Sequence, residues 1–175
     1  MSRRLLILLP VLVLAGCGAS SSAVATPTPL PHFAAGGGQH AQADVQGNAT
    51  GTFTATQVLC YSPNAGSNLD ASEWFADMTG DLGNTATKVS LRLIEGPTPG
   101  SHAVKPGSST SPSVSLETKP GTATGKDWEA DGGQYGPGSS GTITINADGK
   151  SGDWTANLTD TRGGKVAIQG SFACQ

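Results

Sequence analysis

Residues 142–174 read TITINADGKSGDWTANLTDTRGGKVAIQGSFAC, and the period of this stretch is two. Ile143 and Ile145 alternate with Thr142 and Thr144. Trp154, Ala156 and Leu158 alternate with Asp153, Thr155, Asn157 and Thr159, and Val166, Ile168, Gly170, Phe172 and Cys174 share one face. Strict alternation of apolar and polar residues marks strands with one buried face. Between the runs, Asp148-Gly149 and the stretch from Asp160 through Gly163-Gly164 carry the residue types that hairpin turns require. The stretch therefore predicts a three-stranded antiparallel meander.

The same pattern extends upstream. Val89, Leu91 and Leu93 alternate with Ser90 and Arg92, and residues 52–59 and 73–79 are strand-like, rich in Thr, Phe and Trp. No window shows an apolar repeat of 3.6 residues. The expected fold is all-β: an antiparallel β-sandwich or partly open barrel of about seven to nine strands, in one domain over residues 41–175. Residues 96–125 stand apart, with Pro97, Pro99, Pro106, Pro112 and Pro120 among many Ser and Gly. One short strand at residues 114–117 inside long exposed loops is expected there.

The first forty residues have another composition. Arg3 and Arg4 precede an apolar run over residues 5–15. As a helix that run would reach about 16 Å, half of the roughly 30 Å needed to span a bilayer. A positive start, a short apolar run and small residues after it are the layout of an export signal. Leu14-Ala15-Gly16-Cys17 resembles the lipobox of bacterial lipoproteins at all four positions. The resemblance implies a signal peptide over residues 1–16, a diacylglyceryl thioether on Cys17 and a mature chain that starts there. Two or three acyl chains hold a protein at a membrane far longer than one. Residues 17–40, rich in Ser, Thr, Pro and Gly, cannot bury enough apolar surface to fold and read as a disordered tether.

Lipidation of Cys17 leaves Cys60 and Cys174, an even pair in an exported domain, where thiols are normally oxidised. They end an early strand and the last one, so a bond between them would staple the two ends of the sheet. The layout as a whole is similar to the mycobacterial lipoprotein antigen family: lipobox, Ser/Thr/Pro/Ala tether, small β domain with one early and one late Cys. That similarity implies a non-enzymatic envelope protein that faces outside the cytoplasm and engages protein or glycan partners at the cell surface.

Charge excludes one class of partner. The chain carries 10 basic and 13 acidic residues. Removal of Arg3 and Arg4 leaves 8 against 13, a scattered net charge of −5, with no basic stripe for nucleic acid. Catalytic constellations are equally thin. His32 and His40 lie in or at the edge of the tether, and His102 sits in a Pro/Gly-rich loop with no nucleophile pattern beside it. The Gly121-to-Asp127 stretch is one residue short of a phosphate loop and ends in Asp where a hydroxyl is required. Zinc has no ligand cluster.

Two weaker ligand readings remain. Asp127, Glu129 and Asp131, followed by Gly132, match the opening of a calcium loop, but the closing Glu is missing because position 12 is Gly138. The competing reading is a solvated acidic turn. Trp74 and Trp154 fall on inward positions, whereas Trp128 lies among acids and is expected to be exposed, able with Tyr135 to stack on a sugar ring. The sequence thus points to a non-catalytic, lipid-anchored surface module of the cell membrane, with a glycan- or lipid-binding module as the alternative. No cofactor is expected apart from the calcium reading.

Overall fold

The computed structural model describes residues 39–62, 72–105, 111–130 and 139–174. Cys17, Asp131, Tyr135 and the signal and tether segments up to residue 38 lie outside the described residues. The described residues form ten strands: β1 (His40–Gly47), β2 (Gly51–Tyr61), β3 (Trp74–Leu82), β4 (Thr85–Leu93), β5 (Gly100–Val104), β6 (Ser113–Thr118), β7 (Lys126–Ala130), β8 (Ser140–Ile145), β9 (Ser151–Thr159) and β10 (Lys165–Ala173). The predicted meander is β8–β9–β10, and both of its turns form where Asp and Gly placed them. Asp148 accepts from the N–H groups of Lys150 and Ser151 at 2.9 and 3.0 Å. Asp160 accepts from those of Arg162 and Gly164 at 2.8 and 2.6 Å.

The sheet is antiparallel throughout and closes on itself. β1, β2, β3, β4, β6, β7, β9 and β10 form the barrel in that order, and β10 returns to β1 with His40 opposite Ala173 and Gly47 opposite Val166. β8 and β5 look like an appendage until their register is compared with that of β6 and β7. Paired residue numbers add to 245 in β5–β8 and to 244 in β6–β7. The two pairs are halves of one long hairpin, one half described at residues 100–104 and 140–145 and the other at residues 113–118 and 126–130. β7 and β8 accordingly follow each other along one edge of β9, Glu129 opposite Thr159 and Ser140 opposite Asn157. Counted this way the wall is an eight-stranded up-and-down barrel in which every strand lies beside its neighbours in sequence.

Eight strands enclose a space just wide enough for side chains to fill. Phe53, Met78, Leu91, Trp128, Trp154 and Phe172 fill it, each at most 1% exposed. The Trp154 ring lies 6.1 Å from that of Phe172. It fits because its cross-strand partner is Gly170, where a Cβ would stand 2.5 Å from the indole. In β2 a bulge between Ala55 and Gln57 shifts the register against β3. The extra residue flips the pleat, so Val58 faces inward although it lies an odd number of residues from Phe53. The outer face is polar, as in Thr155 and Asn157 of β9 and Lys88, Ser90 and Arg92 of β4. A polar outside around an apolar inside is the reverse of a membrane-spanning barrel.

One end of the barrel carries short turns, at residues 48–50, 83–84, 119–125 and 160–164. At the other end β1 begins, β10 ends, and Cys60 and Cys174 are joined by a disulfide across 114 residues with Cα atoms 5.9 Å apart. Both cysteines are half-buried against the core.

Candidate functional site

β7 decides how the acidic ligand reading fares. Lys126, Asp127, Trp128, Glu129 and Ala130 form an extended strand paired to β6, not a curled loop. In a pleat, Asp127 and Glu129 project to one side and Trp128 to the other. The expectation of an exposed Trp128 is therefore corrected. Its acidic neighbours occupy the outer face, while Trp128 is 1% exposed inside the barrel, opposite Leu116. Trp74 and Trp154 are buried as expected.

Asp127 stands across the strand from Glu117. Partial burial, and secondly the charge of Glu117, push its carboxyl above the usual range. Two carboxylates in this position repel unless one is protonated or a cation lies between them. Among the described residues no three His, Cys, Asp or Glu side chains converge to hold a metal ion.

The aromatic surface that sequence reasoning missed is on the other side of the barrel. Tyr61 of β2 and Phe75 of β3 are cross-strand partners, with ring centroids 5.4 Å apart and planes at 15°. Tyr61 and Leu59 are exposed, at 44% and 48%. The signal was present in the parity. Trp74 faces inward, so Phe75 must face outward, and the bulge in β2 turns Leu59 and Tyr61 out beside it.

A polar network borders this face. The Tyr61 hydroxyl donates to Asp77 at 3.3 Å, and burial together with Asp77 pushes its phenol above the ordinary value. Asp77 also accepts from Ser90 at 2.7 Å and pairs with Lys88 at 3.1 Å. Arg92 grips Glu73 through both Nε and Nη2, which offsets the burial of that carboxylate.

His102 belongs to β5, not to a loop. Its Nε2 lies 2.8 Å from the Thr98 carbonyl. It lines a surface cleft of about 260 Å³ with Glu95, Lys105 and Ser111. The Ser111 hydroxyl is engaged with the Lys105 N–H at 2.7 Å and the Pro112 carbonyl at 3.2 Å, so it faces backbone and not the imidazole.

No protein-family model, curated protein or solved structure matches this chain.

Proposed function

We propose that the chain is a non-catalytic surface module, held at the cell membrane through lipidated Cys17 and facing outside the cytoplasm, that engages its partner with the outside of the barrel. The observation that carries the reading is the distribution of aromatic residues. Large rings fill the interior among the described residues, which argues against a carried lipid, while exposed Tyr61 stacks on half-buried Phe75 at the outer surface. Exposed aromatic residues with a polar border are the usual composition of a recognition surface. The Cys60–Cys174 bond fits an oxidising compartment.

The test is a partition experiment. In a bacterium that matures lipoproteins, the full chain should enter the detergent phase and carry an N-terminal mass increase equal to its acyl groups. Cys17→Ser should move to the aqueous phase. An acylated Cys17→Ser variant that stays with membranes would overturn the anchor.

The Tyr61–Phe75 pair favours a glycan as partner over a lipid, since a flat ring face stacks on a sugar ring. Tyr61→Ala should lose any binding found on a glycan array. Unchanged binding would remove this face from recognition.

A further inference from the structure

The barrel mouth at the short-turn end holds a different feature. A cleft of about 240 Å³ opens there, floored by Trp128 and rimmed by Thr50, Thr85, Thr118, Lys119 and Lys126. β7 alternates, so Lys126 occupies a barrel-facing position one pleat beyond Trp128, directly opposite Thr118. Such a position ordinarily takes an apolar side chain. Here it places an ammonium group at the rim.

Lys119 is the stronger signal. Its φ is +51°, and among the described residues it is the one non-glycine with positive φ. Turns at Gly83, Gly149 and Gly163 give that conformation to glycine, which adopts it at no steric cost. The backbone at Lys119 is fixed: its N–H donates to Ala86 at 2.7 Å, and its carbonyl accepts from the N–H and hydroxyl of Thr122 at 3.2 and 2.8 Å. A chain with 25 glycines keeps a lysine side chain where glycine would be relaxed.

No acidic residue lines the cleft, and neither lysine enters an ion pair among the described residues. Glu117 lies on the outer face of β6 opposite Asp127, outside the cleft lining, and accepts from the Gly121 N–H of the same turn at 3.2 Å.

We propose that this mouth binds a tetrahedral oxyanion, a phosphate or sulfate ester carried on a polyol or sugar. The two ammonium groups supply the charge, the threonine hydroxyls donate to its oxygens, and Trp128 and Leu82 give the carrier an apolar floor. Lysines act as point charges that suit oxygens pointing in several directions, whereas a planar carboxylate is better met by an arginine fork. β1 runs from His40 at the far end to Gly47 at this end, so the mouth lies roughly 20 Å along the wall from where the chain enters the barrel. The proposal does not depend on the anchor or on the Tyr61 face.

The experiment uses the full chain with Cys17→Ser, so that acylation does not enter. Inorganic phosphate, inorganic sulfate, glycerol 3-phosphate and glucose 1-phosphate are titrated at constant ionic strength against chloride, and phosphatidylglycerol vesicles form a separate arm. Tryptophan fluorescence and the amide shifts of residues 118–128 report binding.

Saturable binding of an oxyanion is expected, tighter for an ester than for the inorganic ion, with no response to chloride. Lys119→Gly should melt no lower than the parent and bind at least about tenfold more weakly, the loss of one close charge pair in a partly desolvated site. Lys126→Gln should weaken binding similarly, and Lys150→Gln at the opposite end should leave it unchanged. Binding to vesicles alone, lost in Lys119→Gly, assigns the ester to a lipid headgroup, and binding to the soluble esters assigns it to a free or polymeric carrier. No saturable response, full binding by Lys119→Gly, or a lower melting temperature in that variant overturns the proposal.

Discussion

β9 and β10 pair over nine residues without a break, whereas the hairpin on the other side of β9 is described as two shorter pairings, of five residues each. The uninterrupted side carries Trp154 against Phe172 and both Asp-capped turns. On the hairpin side, among the described residues, β5 hydrogen-bonds only to β8 in the sheet, and β7 meets β9 through a single residue pair. One wall of a closed barrel can thus be paired along its full length while its neighbour is held by shorter pairings. Both pairings keep their place because β9 runs alongside β7 and β8 in turn.

The largest effect should come from emptying the continuously paired β9–β10 side. Trp154→Ala is expected to cost about 3–5 kcal/mol in denaturant unfolding, because Gly170 has no side chain that could collapse into the gap. A loss below about 1 kcal/mol would mean that the packing of Trp154 against Phe172 and Gly170 adds little to the β9–β10 side. Next is the staple. Cys60→Ser with Cys174→Ser should cost about 2–4 kcal/mol, from the constraint lost in the unfolded chain.

The comparison itself is read by native-state hydrogen exchange. Amides of β5 should exchange through local opening, at least about tenfold faster than those of β9 facing β10. Equal protection in the two would show that the hairpin opens only when the whole barrel does.

Two carboxylates should give the smallest effects, with opposite signs. Asp148 is held below the ordinary carboxyl range by the Lys150 N–H first and by Ser151. A depressed value stabilises the fold at neutral pH, and that stability is lost as pH falls through the folded-state value. Asp148→Ala should cost about 1 kcal/mol at neutral pH and less in acid. Asp127 is raised by burial and by Glu117, so its ionised form opposes folding, and its relative contribution is lost as pH rises through the folded-state value. Asp127→Asn should therefore gain a few tenths of a kcal/mol at neutral pH and nothing below about pH 4, after allowance for solvent screening. Thermal melts across that range check both signs.

The legibility of the sequence follows the same division. Residues 142–174 were readable because the pleat period and the turn chemistry are both local, and each Asp-Gly signal fell between two alternating runs. The Cys60–Cys174 bond was readable from number and position. β1 was not, because Ala41 and Ala43 are too small to announce a buried face next to a Gly-rich segment. β7 was misjudged for a different reason. Asp127 and Glu129 look like a loop when read along the chain, and only their partners in β6 show that they bracket an inward tryptophan. The Tyr61–Phe75 pair required the β2 bulge, which no local pattern marks. Asp131 and Tyr135 fall outside the described residues, so the acidic strand end is placed only as far as Ala130.

The closing seam of the barrel has a consequence for the order of synthesis. Among the described strands β1 is made first, and its partner β10 is made last. Gly47 and Lys165 are 118 residues apart, roughly 6–24 s of elongation at about 5–20 residues per second. For that interval the nascent β1 can pair with β2 but presents its other edge unpaired, and the interior stays open to solvent. The polar, alanine-rich character of β1 suits an edge that must wait without recruiting a wrong strand.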